Sequence, residues 1–313
     1  MIRSLLVPLD GSTFGEHALP LAATLARRAN VVLHLVHVHQ IVPPATIAGV
    51  AVMDAVDLHL RQDEQAYLAD VVRRLTEKAP MQVKVALIDG DVAPALREYA
   101  LRVDAAPVVM STHGRGALGR FWLGSVADDL IRELPRPIIL IRPHEGKPDL
   151  QREYPLRNIL LPLDGTPLAE QVLEPALDLG KLFDATFTLV RVVQPILRPS
   201  YLPEGTSLMG LGQSILSEAR ELMEAQQQEA QSYLDSIAAR LAGKGCKVQT
   251  RVVIEEEAAI GIMLEAQVRH ADLIAMETHG RRGLSRMLLG SVADKIVRGG
   301  LVPVLLNRPA QNE

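Results

Sequence analysis

STHGRGALGRFWLGSVADDLIR, residues 111–132, is written again as ETHGRRGLSRMLLGSVADKIVR at residues 277–298, with thirteen of the 22 positions identical. The self-similarity reaches outward to two strand-like openings, MIRSLLVPLDGS at residue 1 and PLRNILLPLDGT at residue 155. A repeat whose period is about half the chain marks a duplicated domain, not a solenoid of short units. Two domains also suit a length of 313 residues.

Reading outward from the repeat, short apolar runs alternate with helix-like stretches in each half. Continuous apolar runs such as Ser4 to Leu9 suggest strands covered on both faces. In the first half the predicted strands are 4–9, 31–38, 83–88, 107–110 and 137–141. Helices are expected after Ser12, whose hydroxyl can cap, then up to about 77, over 92–102 and over 125–133. The second half repeats the order, with strands near 159–163, 186–193, 248–254, 273–276 and 302–306. Strands alternating with helices imply an α/β fold, a doubly wound parallel sheet in each of two tandem Rossmann-like domains. The domains are placed at 1–145 and 153–313. The polar, proline-bounded segment 143–155 reads as the linker. Asp10 and Asp164 lie 154 residues apart and His113 and His279 lie 166 apart, so the second copy carries twelve extra residues. The stretch RPSYLPEGTSLMGLGQS is expected to hold some of them.

Composition narrows the function. The chain is 48% hydrophobic and 22% charged, with a net charge of −4. That is ordinary for a globular protein and gives no overall basic footprint, so a nucleic-acid partner is not expected. Aromatic residues make up only 3%, which disfavours base stacking on single strands. The single cysteine, Cys246, rules out an internal disulfide and a cysteine-based zinc site. No run of 18 apolar residues occurs and no secretory leader is legible, so a cytoplasmic protein without a membrane partner is expected.

The chemistry concentrates where apolar strands give way to helices. Gly114, Gly124 and Ser125 in the first copy have the spacing of Gly280, Gly290 and Ser291 in the second. Glycines let the backbone approach phosphate oxygens, and a helix start adds unpaired N–H groups and the positive end of its dipole. Ser125 or Ser291 adds a hydroxyl donor. Asp10 and Asp164, at the ends of the first strands, border the same crevice, where open α/β sheets bind ligands. A carboxylate there suits ribose hydroxyls or a metal ion better than phosphate. The plainer reading is that glycine serves a turn, serine a cap, and Asp-Gly-Ser or Asp-Gly-Thr a turn and cap together. Duplication of the whole set favours function.

Other patterns carry less. Gly114, Gly116 and Gly119 match G-x-G-x-x-G, but the pattern is lost in the second copy and no suitable strand-end acid follows. His34, His37 and His39 are read as alternating on one face of a strand, and a metal site there is not expected. His113 and His279 read as loop-ordering or phosphate-adjacent groups, not general bases. No G-x-x-x-x-G-K-S/T loop, Ser-His-Asp set or H-E-x-x-H motif is present.

With PLDGS and PLDGT, the two THGR-to-GSVAD stretches and the closing runs PIILIRP and PVLLNRP, the chain resembles the universal stress protein family along nearly its whole length. ATP-binding members of that family carry a strand-one aspartate and the motif G-x2-G-x9-G-S/T. The resemblance implies five parallel strands per domain in the order 3-2-1-4-5. It also implies an adenine nucleotide, ATP or another adenylate, with magnesium as an optional companion.

Carried over residue by residue, the first site comprises Pro8, Asp10, Gly11, Ser12, Val38, Met110, Ser111, His113, Gly114, Gly124, Ser125 and Val126. The second comprises Pro162, Asp164, Gly165, Thr166, Val192, Met276, Glu277, His279, Gly280, Gly290, Ser291 and Val292. Asp10 and Asp164 would meet the adenosine, Val38 and Val192 the adenine pocket, and the glycines, serines, Val126 and Val292 the phosphates. Both copies depart from the motif at its first glycine, which is Ser111 in one and Glu277 in the other. If Glu277 points inwards it crowds and repels an anionic ligand; if it points to solvent, little changes. The expectation is two unequal sites, the first the better binder. Fifth-strand pairing, common in the family, would here join 137–141 to 302–306 as an internal pseudo-dimer, with a homodimer as a further option.

These expectations add up to a nucleotide-binding stress or regulatory protein. Catalysis is not legible beyond slow ATP hydrolysis. Asp10 is the one candidate base in the first half, and a ribose role explains it more simply. The alternative is a nucleotide-free interaction scaffold with vestigial pockets.

Overall fold

The computed structural model describes residues 2–40, 51–113, 123–196, 213–278 and 289–308. β1 (Ser4–Pro8) is an uninterrupted apolar run because both its faces are covered: Leu5, Leu6 and Val7 are fully buried. The first half continues with α1 (Leu19–Ala29), β2 (Val32–His39), α2 (Ala51–Thr76), β3 (Val83–Asp89), α3 (Val92–Arg102), β4 (Val108–Ser111), α4 (Ser125–Glu133) and β5 (Ile138–Ile141). The second half repeats it as β6 (Asn158–Pro162), α5 (Leu173–Lys181), β7 (Thr186–Val193), α6 (Gln213–Ala242), β8 (Lys247–Ile254), α7 (Ala258–Val268), β9 (Leu273–Glu277), α8 (Ser291–Gly299) and β10 (Val304–Asn307). A short 3-10 turn precedes α1 (Gly15–Ala18) and another precedes α5 (Ala169–Val172).

The strands form one ten-stranded sheet in the order β3-β2-β1-β4-β5-β10-β9-β6-β7-β8. Each half has the order 3-2-1-4-5 with parallel neighbours. The halves meet where β5 and β10 run antiparallel, Leu140 opposite Val304 and Ile138 opposite Leu306. The carboxyl ends of the strands therefore point in opposite directions in the two halves.

Two apolar layers flank the sheet, each running through both halves. One takes side chains from α1, α2, α5 and α6, the other from α3, α4, α7 and α8. The duplication reaches individual contacts. Arg74 on α2 makes a two-pronged ion pair with buried Glu16, at 2.9 and 2.7 Å. Arg240 and Tyr233 on α6 reach the equivalent Glu170, at 2.5 and 3.2 Å. Gly180 on α5 stands where α1 has Ala26, and Phe187 on β7 where β2 has Leu33. A Cβ on Gly180 would lie 2.2 Å from Phe187 Cζ, so the glycine makes room for the larger ring.

These matches also place the extra residues. Leu33 and Tyr67 are 34 residues apart and their counterparts Phe187 and Tyr233 are 46 apart. All twelve thus fall between β7 and the middle of α6. Of the stretch expected to hold them, 198–214, residues 198–212 lie outside the described residues.

The segment read as a linker is packed down, not loose. Leu150 is buried, Tyr154 packs against the same core, and the Tyr154 N–H donates to Thr24 Oγ1 at 3.0 Å. His144 sits edge-on to His17 with ring centres 4.4 Å apart. Apolar residues at 150 and 154 anchor the segment that its polar, proline-bounded composition marks as the linker.

Candidate functional site

In each half the first strand ends in a turn built around its aspartate. Asp10 Oδ1 accepts from the Ser12 N–H at 3.0 Å and from the Ser12 hydroxyl at 2.7 Å. The Ser12 hydroxyl oxygen accepts from the Gly15 N–H at 3.2 Å. Asp164, Thr166 and Ala169 repeat the three contacts at 2.9, 2.6 and 3.2 Å. Gly11 and Gly165 hold φ of 80° and 90°, a backbone region that favours glycine. One oxygen of each aspartate is thereby committed to the turn, as Asp-Gly-Ser and Asp-Gly-Thr chemistry predicts. Ser12 serves the 3-10 turn and not α1, whose N-cap is Ala18 with no side-chain cap. The reason is the turn itself, which interposes four residues between Ser12 and the helix.

β4 and β9 lie beside those turns. Met110 and Ser111 are buried at the end of β4, and the Ser111 hydroxyl donates to the His113 carbonyl at 2.7 Å. Gly124 and Gly290 are the N-caps of α4 and α8, extended and without a side-chain cap. Their N–H groups donate to the carbonyls of Thr112 and Thr278, each at 2.8 Å. A Cβ on Gly124 would stand 3.2 Å from the Thr112 carbonyl oxygen, tighter than ordinary contact. Gly124 therefore sits hard against the strand end. Ser125 and Ser291, the first helical residues, are exposed, and Val126 and Val292 are half-buried. Helix amino ends leave their first N–H groups without intrahelical partners, a setting that suits an anion.

Because the order is β2-β1-β4 in one half and β9-β6-β7 in the other, each group of residues shares one carboxyl edge. Pro8, Asp10, Val38, Met110, Ser111, Gly124, Ser125 and Val126 border the first. Pro162, Asp164, Val192, Met276, Glu277, Gly290, Ser291 and Val292 border the second. Gly114, His279 and Gly280 lie outside the described residues.

The two edges differ at the position of the motif's first glycine. Glu277 is 5% exposed. Its Oε1 accepts from Asn307 Nδ2 at 2.6 Å, and its Oε2 is buried without a hydrogen-bond partner. Burial pushes its carboxyl up to about 8, with the Asn307 contact opposing part of the rise. In the first half the equivalent pair is Ser111 and Ile141, so nothing comparable forms.

The glycine-capped helix start, the strand-end aspartate and the repeated strand order meet in one comparison. A sequence model of the universal stress protein family matches residues 1–142 and 155–308. The chain belongs to the universal stress protein family. It is 28% identical over 315 residues to Universal stress protein Rv2005c of Mycobacterium tuberculosis, covering 98% of this chain and 97% of that one. Universal stress protein MJ0531 of Methanocaldococcus jannaschii is 30% identical over 157 residues, half of this chain and 85% of its own. A universal stress protein crystal structure from Archaeoglobus fulgidus superposes with a TM-score of 0.67 at 16% identity, covering 98% of each chain, which establishes the shared fold.

Within this universal stress protein the histidines separate. His37 and His39 face α2, where Glu64 Oε1 lies 3.3 Å from His37 Nε2. His39 Nδ1 is 2.7 Å from Glu64 and its Nε2 is 2.8 Å from Asp57. His34 faces the other layer and contacts the Tyr99 hydroxyl at 3.1 Å. The reading that all three share one face fails because side chains alternate with a period of two, and 34 and 37 differ by three. Arg61 joins Asp57 to Asp89, at 2.8 Å each. Burial alone would lower the His39 imidazole, but Asp57 and Glu64 outweigh it and raise it. His113 Nδ1 meets Thr112 Oγ1 at 2.8 Å, and burial beside Arg142 and Arg298 lowers its imidazole. It orders the turn toward the seam between the halves.

The reading of the residues missed Thr112 and Thr278, whose carbonyls hold the capping glycines, although both are identical in the repeat. It also missed Asn307, legible only as the difference between PIILIRP and PVLLNRP. Among the described residues there is no cluster of three or more His, Cys, Asp or Glu that could hold a metal ion, and no helix long and apolar enough to cross a membrane.

Proposed function

We propose that the chain is an adenine-nucleotide-binding regulatory protein in which the first half holds the ligand and the second does so weakly or not at all. The observation that carries this is the contrast at one position: a small Ser111 hydroxyl turned onto its own backbone against a buried Glu277 side chain. In the first half Asp10 would meet the ribose, Val38 the base, and the Ser125 and Val126 N–H groups the phosphates, with Gly124 holding the helix start against the Thr112 carbonyl. Gly124 fixes where this helix start lies, since a Cβ there would crowd the Thr112 carbonyl. In the second half the carboxyl is neutral near pH 7, so crowding and not repulsion is the obstacle. Magnesium, where it accompanies the phosphates, would be held largely by them.

Binding would tie the β4 loop to the start of α4 and bias the half toward one arrangement. No residue is placed as a base for rapid turnover. The β5–β10 pairing supports an internal pseudo-dimer as the working unit. The neutral, hydrogen-bonded Glu277 favours the scaffold reading for the second half alone.

The test is to purify the protein natively, release bound small molecules with acid, and identify and count them by mass spectrometry. About one adenine nucleotide per chain is expected, lost in Gly124→Val and kept in Gly290→Val. Equal losses in the two variants would sink the asymmetry. No nucleotide, and none bound on adding ATP and magnesium, would sink the binding reading.

A further inference from the structure

The two halves part company along one helix face. Ile260, Leu264 and Val268 recur at intervals of four on α7, so they line one side of it. They are 40%, 52% and 67% exposed. The repeat gives each a counterpart on α3, at the same offset of 166 that relates His113 to His279. Those counterparts are Pro94, Glu98 and Arg102, all exposed. The groove between neighbouring helices changes in the same direction. Arg97 on α3 donates to Glu133 on α4 at 2.6 Å. Met263 and Gly299 stand in their places, and a Cβ on Gly299 would lie 3.3 Å from Met263 Sδ. A solvated face in one half is thus an apolar face in the other.

α3 exposes one large apolar residue, Leu101. Single ones are ordinary on a surface, whereas a continuous stripe marks an interaction site. The opposite side of α7 buries Ala259, Gly261, Ile262 and Ala266, so the helix is apolar nearly all round, the pattern of one covered on both sides. In this half the described residues stop at 196, 278 and 308, all at the carboxyl edge of the sheet. α7 starts at that edge and carries Leu264 and Val268 away from it.

We propose that this face is where two copies of the chain associate, α7 against α7 in antiparallel about a twofold axis at Leu264. The fifth-strand edge is already used within the chain, β5 on β10, so a second copy must meet another face. Charge selects a copy of the same chain as the partner. The junction entering α7 carries Glu255 and Glu256. Toward the far end Arg251 and Arg269 converge on the single carboxylate of Glu265, at 3.9 and 2.7 Å, which leaves that end positive. Asp272 beyond it is turned onto the Arg157 and Asn158 N–H groups, at 2.7 and 2.9 Å. Toward α8 the charges cancel internally, Lys295 with Glu257 at 2.5 Å and Arg298 with Asp294 at 2.7 Å. In an antiparallel pair the acidic start of each helix faces the basic end of the other, and Ile260 faces Val268. A twofold contact satisfies both ends at once. A strongly acidic or basic partner would gain at one end and lose at the other. Stable pairs bury about 800 Å2 per partner, so the stripe would be the centre of the contact and these charges its polar rim. The inference is independent of nucleotide binding.

Sedimentation equilibrium on the full-length protein tests it. The mass should rise from one chain to two as concentration increases. Leu264→Glu sets like charges together at the axis and should weaken the pairing at least tenfold, with the fold intact by circular dichroism. Glu98→Lys, at the same position on α3, should leave it unchanged. Cross-linking tests the axis. In a Cys246→Ala background, Leu264→Cys lies opposite its own copy and should give a disulfide-linked dimer under mild oxidation, while Glu98→Cys should not. A single-chain mass up to millimolar protein would overturn the proposal. So would a pair that Leu264→Glu leaves as strong, or one that Leu264→Cys fails to trap, since either result places the contact on another face.

Discussion

Asn307 Nδ2 donates to Glu277 Oε1 at 2.6 Å across neighbouring strands, at the place where the family motif has glycine. A carboxyl buried this way is held as the neutral acid, and its proton becomes part of the fold.

That proton sets a pH dependence. Glu277 rises from an ordinary 4.5 to about 8 in the folded chain, so the folded state binds the proton more tightly than the unfolded state. Its contribution is complete below about pH 4.5 and declines as pH rises to about 8, by a few kcal/mol in order of magnitude. Glu277→Gln is expected to flatten this decline and to melt higher than the parent at pH 8.5. A Tm series from pH 5 to 9 on both proteins reads the effect.

The reciprocal change should transfer the defect. Ser111→Glu puts a carboxyl at the first edge opposite Ile141, which cannot hydrogen-bond it. Nucleotide carried by the purified protein should fall at least tenfold, and Glu277→Gly should raise the capacity of the second half. Calorimetric titration with ATP and magnesium counts the sites. Unchanged capacity in both variants would remove this position from the binding account.

His39 supplies a second pH dependence of the same sign. Contacts to Glu64 and Asp57 from its two nitrogens require both to donate, hence an imidazolium. A raised imidazole stabilises fully below the unfolded value near 6.5, and that support is lost as pH climbs through the folded value. His39→Gln should weaken protection of the α2 amide hydrogens at pH 6 and make little difference at pH 9. Hydrogen exchange localises it and separates it from Glu277.

The two buried-acid contacts should differ in strength. Arg74→Ala leaves Glu16, 5% exposed, without its two-pronged partner and should cost about 3 kcal/mol. Arg240→Ala leaves Glu170 half-buried, with Tyr233 still in place, and should cost about 1 kcal/mol. Urea unfolding compares them, and equal losses would contradict the burial argument.

Gly180→Ala should destabilise by roughly 2 kcal/mol because Phe187 fills the space. Adding Phe187→Leu recreates the Ala26 and Leu33 combination of the first half and should recover most of the loss. The coupling in this double-mutant cycle is the measured quantity.

Much of this arrangement was legible in the residues. Continuous apolar strands such as β1 and β7 announce a sheet covered on both faces, and α3 and α4 begin and end where their patterns predict. The aspartate turns were readable as turns, because Asp-Gly-Ser satisfies its own backbone. What failed was long range. Nothing near Glu277 in sequence says that Asn307, 30 residues on, would hold it, or that burial would neutralise it. The packing of 143–155 depends on Thr24 and His17, more than a hundred residues earlier. On β2, His34 and His37 are an odd number of positions apart and so face opposite layers.

The antiparallel join of β5 to β10 carries one more consequence. Two identical subunits meeting along that edge would have to change both ends of the sheet with every substitution. Here the ends are written by separate stretches of one gene, and the seam forms however dilute the protein. One end is free to keep a ligand while the other turns into a structural strut.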